Sequence, residues 1–329
     1  MQDPGRDVYS QTLMRDGRVL IVGGTGTKAA EIYDPATGRF SWTGSMLEER
    51  SGPSSALLPD GRVLVAGGAV WGIDNCDAIS TAEIYDPATG LFTRTGRMTS
   101  GRAVSQTTVL GGGRVLLTGG CAATESETYD PATGTFSSFG PPTRVNGSQS
   151  GESVILLADG RLLVAGGGDG SQERVATASI FDPATGTTSP TGSMTRPRSG
   201  QQAVRLNDGR VLVVGGSARS DSSAELYDPA TGTFSPTASL AQARQNELVT
   251  LLADGRVLIA GGSGSFHDAA TGDDFATGQL SSTEVYDPAT GKFSPGGPLV
   301  AAFRQARSTL LRDGRVLITT DHDAELCTP

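Results

Sequence analysis

The chain alternates short apolar runs with polar, glycine-rich turns, and one nine-residue phrase recurs throughout: Asp60-Gly61-Arg62-Val63-Leu64-Val65-Ala66-Gly67-Gly68. Its four consecutive apolar residues predict a strand covered on both faces, because a half-exposed strand would alternate apolar with polar positions. Asp-Gly tolerates the positive φ angles of a two-residue hairpin turn, so a preceding strand folds back antiparallel onto the apolar one. The glycine pair ends the run without side chains, which implies that other atoms pass close to the backbone there.

Copies of the turn begin at Asp16, Asp60, Gly112 (in the place of Asp), Asp159, Asp208, Asp254 and Asp313, at separations of 44, 52, 47, 49, 46 and 59 residues. A period of about 50 residues is that of a blade-type repeat. A second phrase follows each copy but the last: Tyr33-Asp34-Pro35-Ala36-Thr37-Gly38, then again from Tyr85, Tyr129, Phe181, Tyr227 and Tyr286. Here Pro presets φ for a turn, Asp accepts from backbone N–H groups two residues on, and Gly supplies the left-handed residue from which the next strand leaves. Seven residues beyond the aromatic stands Phe40, Phe92, Phe136, Phe234 or Phe293, with Thr188 in the remaining copy. Each repeat therefore predicts four strands: a small polar strand a, the apolar strand b, a strand c that ends at the Tyr, and a strand d that carries the Phe. The expected fold is all-β, a seven-bladed β-propeller of four-stranded antiparallel blades, with residues 1–329 forming one domain. Strand a of the first blade is expected to start at Arg6. Ala324 to Pro329 align with Ala30 to Pro35, so the last blade is expected to lack its outer strand, and Thr320-Asp321 stand where its glycine pair belongs.

The apolar run, double glycine and spaced aromatics resemble the Kelch repeat over essentially the whole chain, with Phe where that family usually carries Trp. The resemblance implies a propeller that acts by binding, and some Kelch domains meet acidic peptides through arginines. It also brings in the copper-radical oxidases of the galactose-oxidase type, whose chemistry needs Tyr and His ligands and a Cys near one Tyr. Five of the six tyrosines here occupy the repeat position, leaving Tyr9, and the histidines are His267 and His322. That donor set is incomplete, so neither a cofactor nor catalysis is expected.

Tight turns join a to b and c to d, whereas the b–c and d–a loops vary, and variable loops on a rigid frame are where function sits. The long ones are residues 69–81, with Trp71 and Cys76; residues 263–281, with Phe266, His267, Asp268, Asp273 and Asp274; and residues 140–150, with Arg144 and Asn146. The acidic group matches no calcium-loop spacing. Ten residues before the Asp-Gly turn stands an arginine: Arg6, Arg50, Arg102, Arg198 and Arg244, with Arg304 one residue out of step and Gln149 in the fourth repeat. Two residues before the strand-c aromatic position stands a glutamate: Glu31, Glu83, Glu127, Glu225, Glu284 and Glu325, with Ser179 in the fourth repeat. Only the repeat without the arginine lacks the glutamate, which makes the two residues partners across strand b, and Gly67-Gly68 would leave that crossing clear. Two readings stand side by side. In one, Arg6, Arg50, Arg102, Arg144, Arg198, Arg244 and Arg304 line a ligand-binding mouth together with Trp71, Phe266 and His267; in the other, most of the arginines are internal braces.

Composition narrows the partners. Gly accounts for 46 residues, as a turn-rich repeat requires, and the net charge of −9 argues against a general nucleic-acid or anionic-membrane surface. No apolar run approaches a membrane span, and residues 1–5 do not read as a signal peptide. Cys76 and Cys121 fall on the same face of adjacent repeats, where a disulfide would suit an extracellular or periplasmic protein, while Cys327 takes the strand-c aromatic position. The reading is a non-catalytic module for a polar or acidic peptide or protein, or for a glycan. The alternatives are a carbohydrate-active or oxidative enzyme, and an engineered or trimmed scaffold without a ligand.

Overall fold

The computed structural model describes residues 9–70, 77–121, 125–139, 151–168, 174–216, 222–268, 273–303, 306–320 and 323–329, without the side chains of 265–268 and 273–277. The fold is all-β, a seven-bladed β-propeller, and no α-helix occurs among the described residues. Six sheets have four strands, joined in sequence by antiparallel hairpins; blade 2, for example, is Ser54–Leu57, Val63–Ala66, Ala82–Asp86 and Leu91–Arg94. The other blades occupy residues 10–42, 106–138, 153–190, 202–236 and 248–295, and blade 7 has three strands over 306–327. The chain divides into two compact units, Met1–Gln149 with Thr320–Ala324, and Ser150–Thr319 with Glu325–Pro329.

Within each unit the apolar run of strand b serves two neighbours. Val63 and Val65 pack with Leu20, Val22 and Ile32 of blade 1, while Leu64 and Ala66 pack with Val115 and Leu117 of blade 3. Period-two alternation thus sends successive side chains to opposite faces, and both faces are core. Blades 4 to 7 repeat the arrangement around Val211 and Val213, Val257 and Ile259, and Val316 and Ile318. The inner strands are polar because hydroxyls join them from blade to blade. Ser54 lies 2.6 Å from Ser105, Ser55 is 2.6 Å from both Ser10 and Thr12, and Thr250 donates to Ser308 at 2.8 Å.

Two local expectations change. The Asp-Gly hairpin is a three-residue loop: Leu58 N–H donates to the Arg62 carbonyl at 2.8 Å and Gly61 N–H to the Leu58 carbonyl at 2.9 Å, with Gly61 at φ 93°. A left-handed glycine after a short turn makes the bulge that suits strand twist, and Asp60 anchors it by accepting from Arg62 N–H at 3.0 Å. The long b–c loop of blade 6 is itself a hairpin, Ser263–Asp268 with Asp273–Gln279, and its first strand pairs with Ala243–Gln245. Asp268, Asp273 and Asp274, expected in a loop, lie on these paired strands.

Candidate functional site

Each described repeat arginine lies inside its own blade. Arg50 uses all five N–H groups: Nε and Nη2 donate to Glu83 Oε1 at 3.1 and 2.9 Å, Nη1 to the carbonyls of Gly67 and Thr81 at 2.7 and 2.8 Å, and Nη2 also to Thr81 Oγ1 at 3.1 Å. Arg102 pairs with Glu127 at 2.8 Å, Arg198 with Glu225 at 3.1 Å and Arg244 with Glu284 at 3.0 Å. All eight side chains are buried. The glutamate has a second task, accepting from the loop that enters the blade. Leu47 N–H donates to Glu83 at 2.7 Å, Thr99 to Glu127 at 2.8 Å, Thr195 to Glu225 at 2.7 Å and Ala241 to Glu284 at 2.8 Å. One carboxylate thereby fixes strand a, strand c and the d–a loop. The Arg50 pair, with all five guanidinium donors satisfied, escapes most of the desolvation cost that makes such pairs weak, whereas Nε of Arg102 and of Arg244 is buried without a partner.

The glycine pair serves this arrangement differently from the expected clear crossing. The arginine reaches across strand b at the carbonyl of the first glycine, as Arg50 does at Gly67 and Arg198 at Gly215, 2.8 Å. The missing side chain of that glycine faces the next blade, where a Cβ on Gly23 would lie 2.6 Å from the Arg50 carbonyl oxygen. The second glycine faces its own arginine, and a Cβ on Gly68 would lie 2.9 Å from Arg50 Cβ. Both glycines hold positive φ, 67° and 98° at Gly67 and Gly68, where an L side chain is strained in any case. In blade 7 the register position of the arginine is Phe303, buried in the core between blades 6 and 7, and Glu325 accepts from Val300 N–H at 2.8 Å.

Two positions at the head of strand a were not singled out by sequence reasoning. Two residues after the arginine the backbone is left-handed, with φ 64° at Gly52, 57° at Val104, 73° at Gly200 and 57° at Asn246. Val104 N–H donates to the Gly52 carbonyl at 2.7 Å, and Gly200 to Gly151 at 2.7 Å, so this turn links neighbouring blades. One residue further stand Gln201 in blade 5 and Glu247 in blade 6, 3% and 2% exposed. A polar residue immediately before an inner strand was the available signal, but nothing in its spacing showed that it is buried.

Residues 201–241, which hold this inner strand, the apolar run and the Tyr–Phe pair of blade 5, match the Kelch motif family. Blade 5 carries a Kelch motif. The propeller is similar to a copper-bound fungal alcohol oxidase of the AA5 family at 18% identity, with a TM-score of 0.79, over 99% of this chain and 74% of that one. It is also similar to YjhT at 16% identity, with a TM-score of 0.62, over 89% of this chain and 98% of that one. No curated protein matches it in sequence. At these identities the likeness is one of fold.

Four of the repeat tyrosines are engaged in packing between blades and do not fit a copper-radical centre. The hydroxyls of Tyr85, Tyr129, Tyr227 and Tyr286 lie 2.8, 2.8, 2.8 and 2.9 Å from threonine Oγ1 of the preceding blade, and their rings pack at a tilt against the strand-d phenylalanines. Burial pushes the Tyr85 hydroxyl above its ordinary pKa, away from the phenolate a metal would take. Tyr9 is 3% exposed, and no cluster of three or more His, Cys, Asp and Glu side chains occurs among the described residues. Cys121 is disulfide-bonded, while Cys327 is free and packs on the core between blades 6 and 7. Arg6, Trp71, Cys76, Arg144, Asn146, Arg304 and His322 lie outside the described residues, as do the side chains of Phe266, His267, Asp268, Asp273 and Asp274. Glu31, the glutamate of blade 1, is fully buried.

Proposed function

We propose that this Kelch propeller is a binding module for a protein or peptide and that the hairpin of blade 6 is its recognition element. The observation that carries the reading is the division of labour along the repeat. The arginines of blades 2, 3, 5 and 6 are used inside the sheets, which makes a stiff frame, and blade 6 adds to that frame the longest extra strand pair among the described residues, where the b–c loops of blades 2 and 4 show only single bridges. Residues 263–279 carry Asp268, Asp273 and Asp274 and contain neither Lys nor Arg. Such an element suits a basic segment, whereas the buried arginine heads weaken the case for an acidic one.

The test is an array of basic peptides, acidic peptides and glycans probed with the intact chain and with a variant in which residues 264–278 are replaced by a Gly-Ser turn. The variant is expected to keep its melting temperature and lose retention on basic peptides. Binding that survives the replacement, or that prefers acidic peptides or glycans, would refute the assignment of the hairpin. The oxidative reading draws support from the fold likeness to the AA5 oxidase. Alcohol turnover by the protein after incubation with copper(II) would favour it over binding alone.

A further inference from the structure

Glu247 opens the inner strand Leu248–Leu251 of blade 6, and its carboxyl group lies inside the junction with blade 5. The glycines around it are what make the space. A Cβ on Gly215 would collide with Oε1, and one on Gly262 would lie 3.0 Å from the backbone N and Cα of Glu247. Apart from a weak approach of its own backbone N–H, neither carboxyl oxygen has a hydrogen-bond partner. Leaving a buried polar atom unpaired is costly, and leaving a buried charge unpaired is more so.

The equivalent residue one blade earlier shows how the position is satisfied. Gln201 stands three residues after Arg198, as Glu247 stands three after Arg244, and its Nε2 donates to the carbonyl of Ala165, the last residue of strand b in blade 4, at 2.6 Å. The junction therefore offers a backbone acceptor to a side chain that brings a hydrogen. A carboxylate brings none, but a carboxylic acid does. Neither charged neighbour bonds to the anion: Arg244 of its own blade gives Nη2 to Glu284 and leaves Nε without a partner, and Arg198 of blade 5 is paired with Glu225. The same two guanidinium groups oppose a metal cation at this point. Burial pushes the Glu247 carboxyl from 4.5 up to about 8, against its own backbone N–H and the pull of Arg244 and Arg198.

We propose that Glu247 is a proton-operated latch: as the carboxylic acid it closes the junction between blades 5 and 6, and its ionisation in mildly alkaline solution opens that junction. The latch also stands at the root of the blade 6 hairpin, since Arg244 and Gln245 pair with Gly264 and Ser263. It does not depend on what the hairpin binds.

The folded form holds a proton that the unfolded chain releases at ordinary glutamate pH. Stability from this group is therefore complete below about 4.5 and is lost as pH rises to about 8. Urea unfolding of the full chain and of Glu247→Gln across this range tests the proposal. The unfolding constant of the parent is expected to rise relative to the variant by roughly tenfold per pH unit, and to run parallel to it above the folded pKa. Amide exchange at 211–216 and 262–264, corrected for intrinsic rates, should accelerate at alkaline pH in the parent only. Carboxyl-carbon NMR of the glutamate-labelled parent decides the matter even if the variant does not fold. One glutamate should remain protonated at neutral pH, and titration of every glutamate within about 1 unit of the ordinary value would overturn the latch. Parallel pH profiles for parent and variant would overturn it as well.

Discussion

Removing both members of the Arg50–Glu83 pair should cost far less than the two single removals added together. Both side chains are buried, 0% and 1% exposed, and the pair is closed at 2.9 Å. Arg50→Met leaves the Glu83 carboxylate buried with only the N–H groups of Leu47 and Glu48, at 2.7 and 3.3 Å, to stabilise it. Glu83→Gln keeps the shape but leaves the buried guanidinium only the part-exposed Glu48 carboxylate, 3.9 Å away, as counter-charge. Each single change breaks a buried pair and is expected to cost about 3–5 kcal/mol. The double variant buries no charge. Its residual cost comes mainly from the carbonyls of Gly67 and Thr81, which lose the Arg50 Nη1 donor, at about 1–2 kcal/mol each. The singles thus sum to about 6–10 kcal/mol while the double change should cost about 2–4, a coupling of at least about 2 kcal/mol. Urea unfolding followed by far-ultraviolet circular dichroism at one pH measures all four corners of the cycle. Losses that add to within about 0.5 kcal/mol would show that the brace is not a shared interaction.

Gly67→Ala and Gly38→Ala separate backbone strain from blade packing, because both sites hold φ 67° but only a Cβ on Gly67 meets the Arg102 carbonyl, while nothing lies near Gly38. Gly38→Ala should cost about 1 kcal/mol and Gly67→Ala at least about 2 more, and equal losses by thermal melting would contradict the close approach of the next blade. Val104→Gly should stabilise the chain by about 0.5–1 kcal/mol. It relieves left-handed strain of about 1–2 kcal/mol in a half-exposed β-branched residue, against about 0.4–1 for the looser unfolded chain. A lower melting temperature for this variant would show that the valine side chain has a packing role.

Much of this fold lies open in the sequence because the information is local and repeated. Four apolar residues in a row specify a strand covered on both sides, and the Tyr-Asp-Pro-Ala-Thr-Gly phrase specifies a turn that forms as written, with Gly38 N–H donating to the Asp34 carbonyl at 2.8 Å and Ala36 N–H to Asp34 Oδ1 at 2.9 Å. The partnership of Arg50 with Glu83 was legible for the same reason, since the fourth repeat lacks both residues at these positions. What sequence spacing could not convey is which atoms of the neighbouring blade stand opposite a given residue. The first glycine of a pair answers to the next blade, through its backbone at Gly23 and Gly67 and through the side chains of Glu247 and Phe303 at Gly215 and Gly261; Phe303 fills an arginine's place, and the blade 6 loop finds Ala243–Gln245 to pair with. Glu247 is the plainest case. As a residue type it reads as a solvated charge at the start of a strand, and only the packing of two blades removes its water without supplying a partner, which is why its protonation state belongs to the tertiary structure.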